Sequence, residues 1–382
     1  MKSILLVMHS YPSNSSFLMN KYLLLGKVFN IKLLVWDKNT GADSTVYYGL
    51  PGISFLEVTK EFFKAGITFI SHPLNAISFM KNLGIKKFLK GHYFIRENFD
   101  LIHFEFGTLA TEWIDLKKFI EAKLLVSFRG YDLNYYQLNN QAVYNEVWKN
   151  ADAFHFLGKD LYQRALQRNY GGEKPNYFIS PAIDLNLFSA PPSKTNFNSN
   201  VLQIVSVGRL VWKKGYEYGL KAIRILLDKN YKIHYTLIGD GEHKQAIEYC
   251  IHELALNQNV TLLYHRSLHE IKNQLAVSDL FLHPALSEGF CNAVVEAQAM
   301  KLPIVCTKAD GLTENIEEGV TGVAVDIYNA EALVVAIEKF YLNPQLLKSY
   351  GEAGAIRAEK YYRIEDQIEK ITSMYNQITS KN

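Results

Sequence analysis

Short apolar runs rich in β-branched residues alternate along the chain with longer stretches whose apolar positions recur at helical spacing. This is the pattern of βαβ units built around a parallel sheet. In the first half the runs are Ile4–Met8, Ile31–Trp36, Leu101–Phe104, Leu124–Phe128, Ala153–Leu157 and Tyr177–Ser180. In the second half they are Leu202–Val207, Tyr235–Ile238, Val260–Leu263, Leu280–His283, Ile304–Thr307 and Gly322–Val325, each followed by a Gly, Pro or polar turn. Runs that are apolar at every position predict strands buried on both faces, with helices above and below.

One Pro/Ser/Asn-rich stretch, Ser189–Asn200, separates the two halves and predicts a linker. The expected architecture is therefore α/β, with two Rossmann-like doubly wound domains, residues 1–188 and 201–363, facing a cleft. Open α/β sheets bind ligands at the carboxyl ends of their strands. Residues 364–382 have helical period with no strand after them, so this helix is free to pack on any apolar face, the first domain's included.

Composition changes this picture little. With 382 residues, 48% of them hydrophobic and 21% charged, the chain has enough apolar material for two cores and does not read as disordered. Three cysteines, Cys250, Cys291 and Cys306, are an odd number without metal-ligand spacing, and a reducing cytoplasm is the expected home. Residues Ile4–Met8 are too short an apolar run for a signal peptide, so the start reads as a first strand.

A net charge of +3 makes no case for nucleic acid, but it hides an asymmetry: residues 1–200 hold 22 Lys+Arg against 16 Asp+Glu. Much of the excess is local. Between Phe62 and Arg96 lie Lys64, Lys81, Lys86, Lys87, Lys90 and Arg96 with no acid, interleaved with Phe63, Phe69, Ile70, Phe79, Met80, Phe88 and Phe94. Pro73 breaks the uncharged stretch inside this segment, so no spanning helix is expected. An anionic membrane surface or an anionic lipid-linked molecule is the expected partner; a solvated basic face is the alternative.

Two segments carry candidate chemistry. Gly208-Arg-Leu-Val-Trp-Lys-Lys-Gly215 follows a predicted strand and opens a helix, Tyr216–Leu227. Arg209 offers a planar fork of donors and Lys214 a mobile point charge, a combination suited to a diphosphate; a solvated basic turn fits that segment alone equally well. Ser287-Glu-Gly-Phe-Cys-Asn-Ala-Val-Val-Glu296 follows the strand Leu280–His283. Gly289 permits close approach of a ligand to a helix starting near Asn292, where unpaired N–H groups attract an anion. Glu288 is otherwise a capping carboxylate. Glu296 stands in a helix that is apolar almost all round, which predicts a buried carboxylate.

Together with Leu237-Ile-Gly-Asp-Gly-Glu242, Pro303–Thr307, Asp310–Glu314 and Gly319–Gly322, these segments resemble the nucleotide-sugar half of glycosyltransferase family 4, which has the GT-B fold. Tyr11–Phe17, Asp100–His103 and Phe128–Asp132 resemble a subgroup that builds bacterial exopolysaccharides. The resemblance implies retaining, metal-free transfer of a sugar from a nucleoside diphosphate to a glycan or lipid-linked acceptor. It implies that Arg209 and Lys214 neutralise the leaving diphosphate, that Glu288 contacts the sugar and that Glu296 holds the ribose. The backbone of Gly208 and of Gly289, Phe290, Cys291, Asn292 and Ala293 would lie along the donor. His103 is the candidate catalytic or acceptor-side residue, with a satisfied core histidine as the alternative.

The chain departs from the family pattern at two places. His103-Phe104-Glu105 stands where the family often has His-x-His, and Arg129 where it often has His. Both follow or end consecutive strands, which brings a Glu105–Arg129 ion pair within reach; the alternative is that Glu105 points away and Arg129 pairs with Asp132 or a phosphate. Asp132 is expected as a helix cap, with binding of an acceptor hydroxyl as the alternative. No Asp-x-Asp triplet and no His-Glu-x-x-His pattern occurs, so no metal is expected. Three other functions remain as alternatives: a non-catalytic nucleotide-sugar-binding subunit, a nucleotide-sugar epimerase on the same fold and, least favoured for want of a complete Gly-x-Gly-x-x-Gly, a dehydrogenase.

Overall fold

The apolar runs form strands in a computed structural model that describes residues 1–11, 16–38, 46–48, 55–190 and 201–380. Two units result: Met1–Ile179 with Ile368–Asn382, and Ser180–Gln367. The proposed linker 189–200 and the Tyr11–Phe17 motif lie largely outside the described residues.

The first unit holds a seven-stranded sheet of β1 (Ser3–Tyr11), β2 (Asn30–Lys38), β3 (Val46–Tyr48), β4 (Leu101–Phe104), β5 (Lys123–Phe128), β6 (Ala153–Phe156) and β7 (Asn176–Phe178), in the order 3-2-1-4-5-6-7. All its pairings are parallel. The second holds β8 (Leu202–Val207), β9 (Ile233–Ile238), β10 (Val260–Leu263), β11 (Leu280–His283), β12 (Ile304–Thr307) and β13 (Gly322–Val325), in the order 10-9-8-11-12-13, again all parallel. Each sheet is doubly wound about its first strand, β1 or β8, and β4, β5, β6, β11 and β12 are buried along most or all of their length. Strands buried at nearly every position in this way need helices on both faces.

The boundary between the units falls earlier than residue 188. Ile183 bridges to Arg363, and Ile183 and Phe188 sit in the core formed by Val205, Phe281, Val295 and Ile304. Burial of those side chains draws residues 180–188 into the second unit. In the first unit, Ile371, Met374 and Tyr375 of the last helix, Ile364–Thr379, join Ile4, Leu6, Leu33 and Leu101 in one core.

The segment from Phe62 to Arg96 is helical over Phe55–Ser71, Pro73–Leu83 and Ile85–Gly91. Its aromatics divide into two sets, which corrects the expectation of one interleaved surface. Phe79, Phe88 and Phe94 are core residues, with Phe79 and Phe88 packed edge to face. Phe63, Ile70 and Leu74 are 73%, 80% and 81% exposed, and Phe62, Ile67 and Ile77 are exposed beside them in sequence. Among the described residues no helix is long and apolar enough to cross a membrane.

Candidate functional site

In the second unit the site is assembled from turns at the carboxyl ends of β8, β9 and β11. The chain leaves β8 at Gly208, and Gly239, after β9, lies so close that a Cβ there would meet the Gly208 carbonyl oxygen at 1.9 Å. Arg209 is exposed on this turn. A short 3-10 turn, Trp212–Lys214, then buries Lys214. Gly215 ends it in the left-handed region (φ 59°), and a Cβ there would strike the Pro284 carbonyl oxygen at 2.2 Å, so only glycine can join the turn to the helix Tyr216–Asp228.

The chain leaving β11 is tied to this turn. Leu286 N–H donates to the Lys213 carbonyl at 2.7 Å. Gly311 N–H donates to the Glu288 carbonyl at 3.0 Å, and Cys291 N–H donates to Asn315 Oδ1 at 3.1 Å, so the 3-10 turn Asp310–Asn315 buttresses Glu288–Cys291 from behind. The helix Asn292–Ala299 begins immediately after, with Cys291 at its cap and Asn292 and Ala293 partly exposed in its first turn.

These ties bring together Lys214 and Glu288, which are 74 residues apart and buried. Lys214 Nζ bonds directly to Glu288 Oε1. His283, at the end of β11, adds a contact from Nε2 to Glu288 Oε1 at 3.2 Å, and Cys291 Sγ lies 3.3 Å from the same nitrogen. Burial alone would raise the Glu288 pKa, but Lys214 and His283 outweigh it and hold the carboxyl at about 2. Burial likewise opposes charge on Lys214, and Glu288 overrides it and raises the amine. The Cys291 thiol, which burial would push up, is instead lowered by His283 and Lys214. The Arg209 charge reaches both Lys213 and Lys214. The result is a concentrated cationic turn facing a fixed carboxylate and a helix amino end, able to take a diphosphate on one side and hydroxyl groups on the other.

Glu296 stands one turn into the same helix. Burial pushes its carboxyl up to about 7, with no cation offsetting the shift. Because the folded carboxyl binds its proton more tightly than the unfolded one, stability falls as pH rises from the ordinary carboxylate range toward 7. Glu296→Gln is expected to raise the melting temperature at pH 8 and to change it little at pH 5, while weakening donor binding. Thermal melts at the two pH values, with and without nucleoside diphosphate, check both halves; equal shifts at both pH values would show that Glu296 carries no such cost.

The first-unit candidates are arranged differently. His103 is 0% exposed, and both ring nitrogens are engaged: Nδ1 with Tyr375 Oη and Nε2 with Ser127 Oγ, each at 2.7 Å. Ser127 Oγ also contacts His155 Nδ1 at 2.7 Å, and His155 Nε2 meets the Ile179 carbonyl at 2.8 Å. A carbonyl only accepts, so His155 carries its proton on Nε2. Each donor in turn is then fixed: Ser127 donates to His155, His103 Nε2–H donates to Ser127, and Tyr375 donates to His103. Burial holds both histidines well below their usual range, and so neutral. The structure thus gives His103 the satisfied core position rather than a catalytic one, because neither nitrogen is open to a substrate.

Glu105, just past β4, makes the expected ion pair with Arg129, just past β5: Arg129 Nη2 reaches Glu105 Oε2 at 2.7 Å. Lys21, which the sequence did not single out, bonds to Oε1 of the same carboxylate. Asp132 accepts from Thr108 N–H at 3.0 Å and Arg129 N–H at 2.7 Å, capping the helix Gly107–Trp113.

The class this architecture defines is the GT-B glycosyltransferase fold, two Rossmann-like units in one chain. Residues 190–357 match the family described as Glycosyl transferases group 1. The chain is 30% identical over 173 residues to the capsular polysaccharide biosynthesis glycosyltransferase CapM of Staphylococcus aureus, covering 44% of this chain and 44% of that protein. It is 27% identical over 230 residues to the putative colanic acid biosynthesis glycosyltransferase WcaL of Escherichia coli, covering 58% and 56%. The matched region therefore spans about half the length of these relatives. Among solved structures, HepE of Anabaena in complex with UDP-glucose superposes with a TM-score of 0.74 at 17% identity, covering 99% of this chain and 100% of that one.

Proposed function

We propose that this protein is a retaining, metal-independent glycosyltransferase. It moves a sugar from a nucleoside diphosphate to an acceptor hydroxyl in bacterial surface-polysaccharide or lipid-linked glycan assembly. The observation that carries this reading is the buried Lys214–Glu288 pair, held between two strand-end turns beside Arg209 and the amino end of the helix Asn292–Ala299.

In this mechanism Arg209 and Lys214 take up the charge that develops on the diphosphate as the bond to the anomeric carbon breaks. Preorganised cations in a buried site stabilise that charge most strongly. They supply the stabilisation that a bridging metal supplies elsewhere, in keeping with a sequence that lacks an Asp-x-Asp triplet. The first-turn N–H groups after Phe290 and Cys291 meet phosphate oxygens, Glu288 orients the sugar hydroxyls and Glu296 accepts from the ribose. The donor class is supported by the UDP-glucose complex of HepE, and the process by the names of CapM and WcaL.

A panel of nucleoside diphosphate sugars tests the reading. The correct donor raises the melting temperature in proportion to ln(1 + [L]/Kd) and is slowly hydrolysed, in EDTA as well as in Mg2+. NMR of the released sugar gives the anomeric configuration. A panel with no stabilising donor and no hydrolysis would overturn the assignment, and an inverted first product would overturn retention alone.

The acceptor side carries a second expectation, peripheral attachment to the cytoplasmic face of a membrane. The exposed Phe62, Phe63, Ile67 and Ile70, followed in the chain by Lys81, Lys86 and Lys90, combine insertion with attraction to anionic lipid, about 1 kcal/mol per basic residue near the surface. Recovery on anionic vesicles should exceed that on neutral ones and fall when Lys81, Lys86, Lys87 and Lys90 become Gln. Equal recovery in all four conditions would refute the attachment.

A further inference from the structure

We propose that His283, Glu288 and Cys291 form a binding site for a borderline-soft divalent transition metal, Zn2+ first among them, and that the bound metal blocks the donor. The blocking half rests on the donor reading above; the metal site does not.

The three residues offer imidazole nitrogen, carboxylate oxygen and sulfur, a mixed set that selects zinc over magnesium or calcium. His283 Nε2 lies 3.2 Å from Glu288 Oε1 and 3.3 Å from Cys291 Sγ. Bond lengths of about 2.0–2.1 Å to nitrogen and oxygen and 2.3 Å to sulfur put neighbouring ligands of tetrahedral zinc about 3.3–3.6 Å apart. Both separations from His283 Nε2 are close to that spacing, and all three donor atoms lie within 4.8 Å of one another. The backbone fixes this arrangement: β11 ends at His283, the Gly311 N–H holds Glu288, and Asn315 holds the Cys291 amide.

Binding converts the Cys291 S–H to a sulfur–metal bond and takes the lone pair of His283 Nε2, so the thiol proton and the Nε2 proton that faces Glu288 both leave to solvent, with Nδ1 keeping the proton of the neutral ring. Lys214 must then give up its place on Glu288, because an ammonium and a dication compete for the same carboxylate. His283 Nδ1 is buried with no partner among the described residues, so the ring lacks the hydrogen bond that usually supports a ligating histidine. Both features lower the affinity, and they make this an inhibitory site that reads metal excess rather than a structural one. Metal-free transfer and inhibition by zinc are consistent, since the metal would tie up Glu288 and repel Lys214.

Titration of the full-length protein with Co2+ tests the site. A near-ultraviolet thiolate-to-cobalt charge-transfer band is expected, saturating at one equivalent and bleached by Zn2+. The band should be absent in Cys291→Ser, weakened at least tenfold in apparent affinity in His283→Gln, and unchanged in Cys250→Ala. Circular dichroism establishes that each variant is folded. If Cys291→Ser does not fold, iodoacetamide alkylation of the native protein followed by peptide mapping replaces it: bound Zn2+ should protect Cys291. No band in the native protein, or a band that survives loss of the Cys291 thiol, overturns the site.

Uridine and guanosine diphosphate are the probes for the second half. Their Kd should rise at least tenfold in saturating Zn2+ and recover in EDTA. Unchanged nucleotide affinity with the cobalt band present leaves the metal site standing and overturns the blocking. Failure of both nucleotides to bind without metal counts against the donor reading instead.

Discussion

Replacing Arg209 and Lys214 together by alanine is expected to lower sugar transfer by about a hundredfold or more, since each removes a charge-assisted contact that strengthens as the diphosphate leaves. The two positions differ in what else they do. Lys214 is buried and bonded to Glu288, so Lys214→Ala strands a carboxylate held at about 2 and should destabilise the protein by about 3–5 kcal/mol. Arg209 is exposed on its turn, and removing an exposed side chain changes stability by about 0.5 kcal/mol or less. Arg209→Ala should therefore lose turnover at saturating donor with an unchanged melting temperature, which separates chemistry from folding. Transfer at the normal rate by the double variant would show that the diphosphate lies elsewhere.

The strands were legible because their chemistry is local. Five of the six strands in the second unit have the predicted bounds, each a short, mainly apolar run without formal charge. Only β9 begins earlier, at Ile233, where His234 and Lys232 obscure the run. The edge strand Val46–Tyr48 was missed, because its one aliphatic residue stands in a sequence otherwise rich in Gly, Ser, Thr and Asp. The Glu105–Arg129 pair could be anticipated because both residues sit just past adjacent parallel strands, where sequence order and spatial order coincide. The Lys214–Glu288 bond joins residues from different turns, which the Leu286-to-Lys213 and Ser287-to-Lys213 backbone ties bring together.

Some side chains of these clusters carried no sequence signal at all. His283 ends an apolar strand and reads as core until Glu288 and Cys291 fold back onto it. Lys21 lies in the first helix, Ser16–Leu25, 84 residues from the carboxylate it serves. His103 shows the opposite case: a histidine at a strand end leaves catalysis and core packing both open, and the partner that occupies its Nδ1 is Tyr375, 272 residues away on the last helix. Local pattern fixes which residues stand at a sheet's edge, while long-range packing decides whether their polar atoms are left open.

Glu105→Gln is expected to cost about 3–5 kcal/mol, because it leaves Lys21 and Arg129 without the carboxylate that both share. Arg129→Gln should cost less, since Lys21 still neutralises Glu105 and Arg129 is partly exposed. The double variant should lose less than the sum of the single losses, because removing both ends leaves only Lys21 in need of a partner, and Lys21→Met in the same background should recover part of the stability. The pH dependence has a definite sign. Burial would raise the Glu105 carboxyl, but Lys21 and Arg129 together hold it well below its ordinary value of 4.5. A depressed carboxyl contributes stability that is fully present above the ordinary value and is lost as the pH falls through and below it. Denaturant melts from pH 7 down to pH 3 should therefore show a steeper acid loss in the native protein than in Glu105→Gln. Strictly additive single and double losses, or parallel acid profiles, would show that the three side chains are not coupled, and that the pair at the carboxyl edge of β4 and β5 contributes shape without electrostatics.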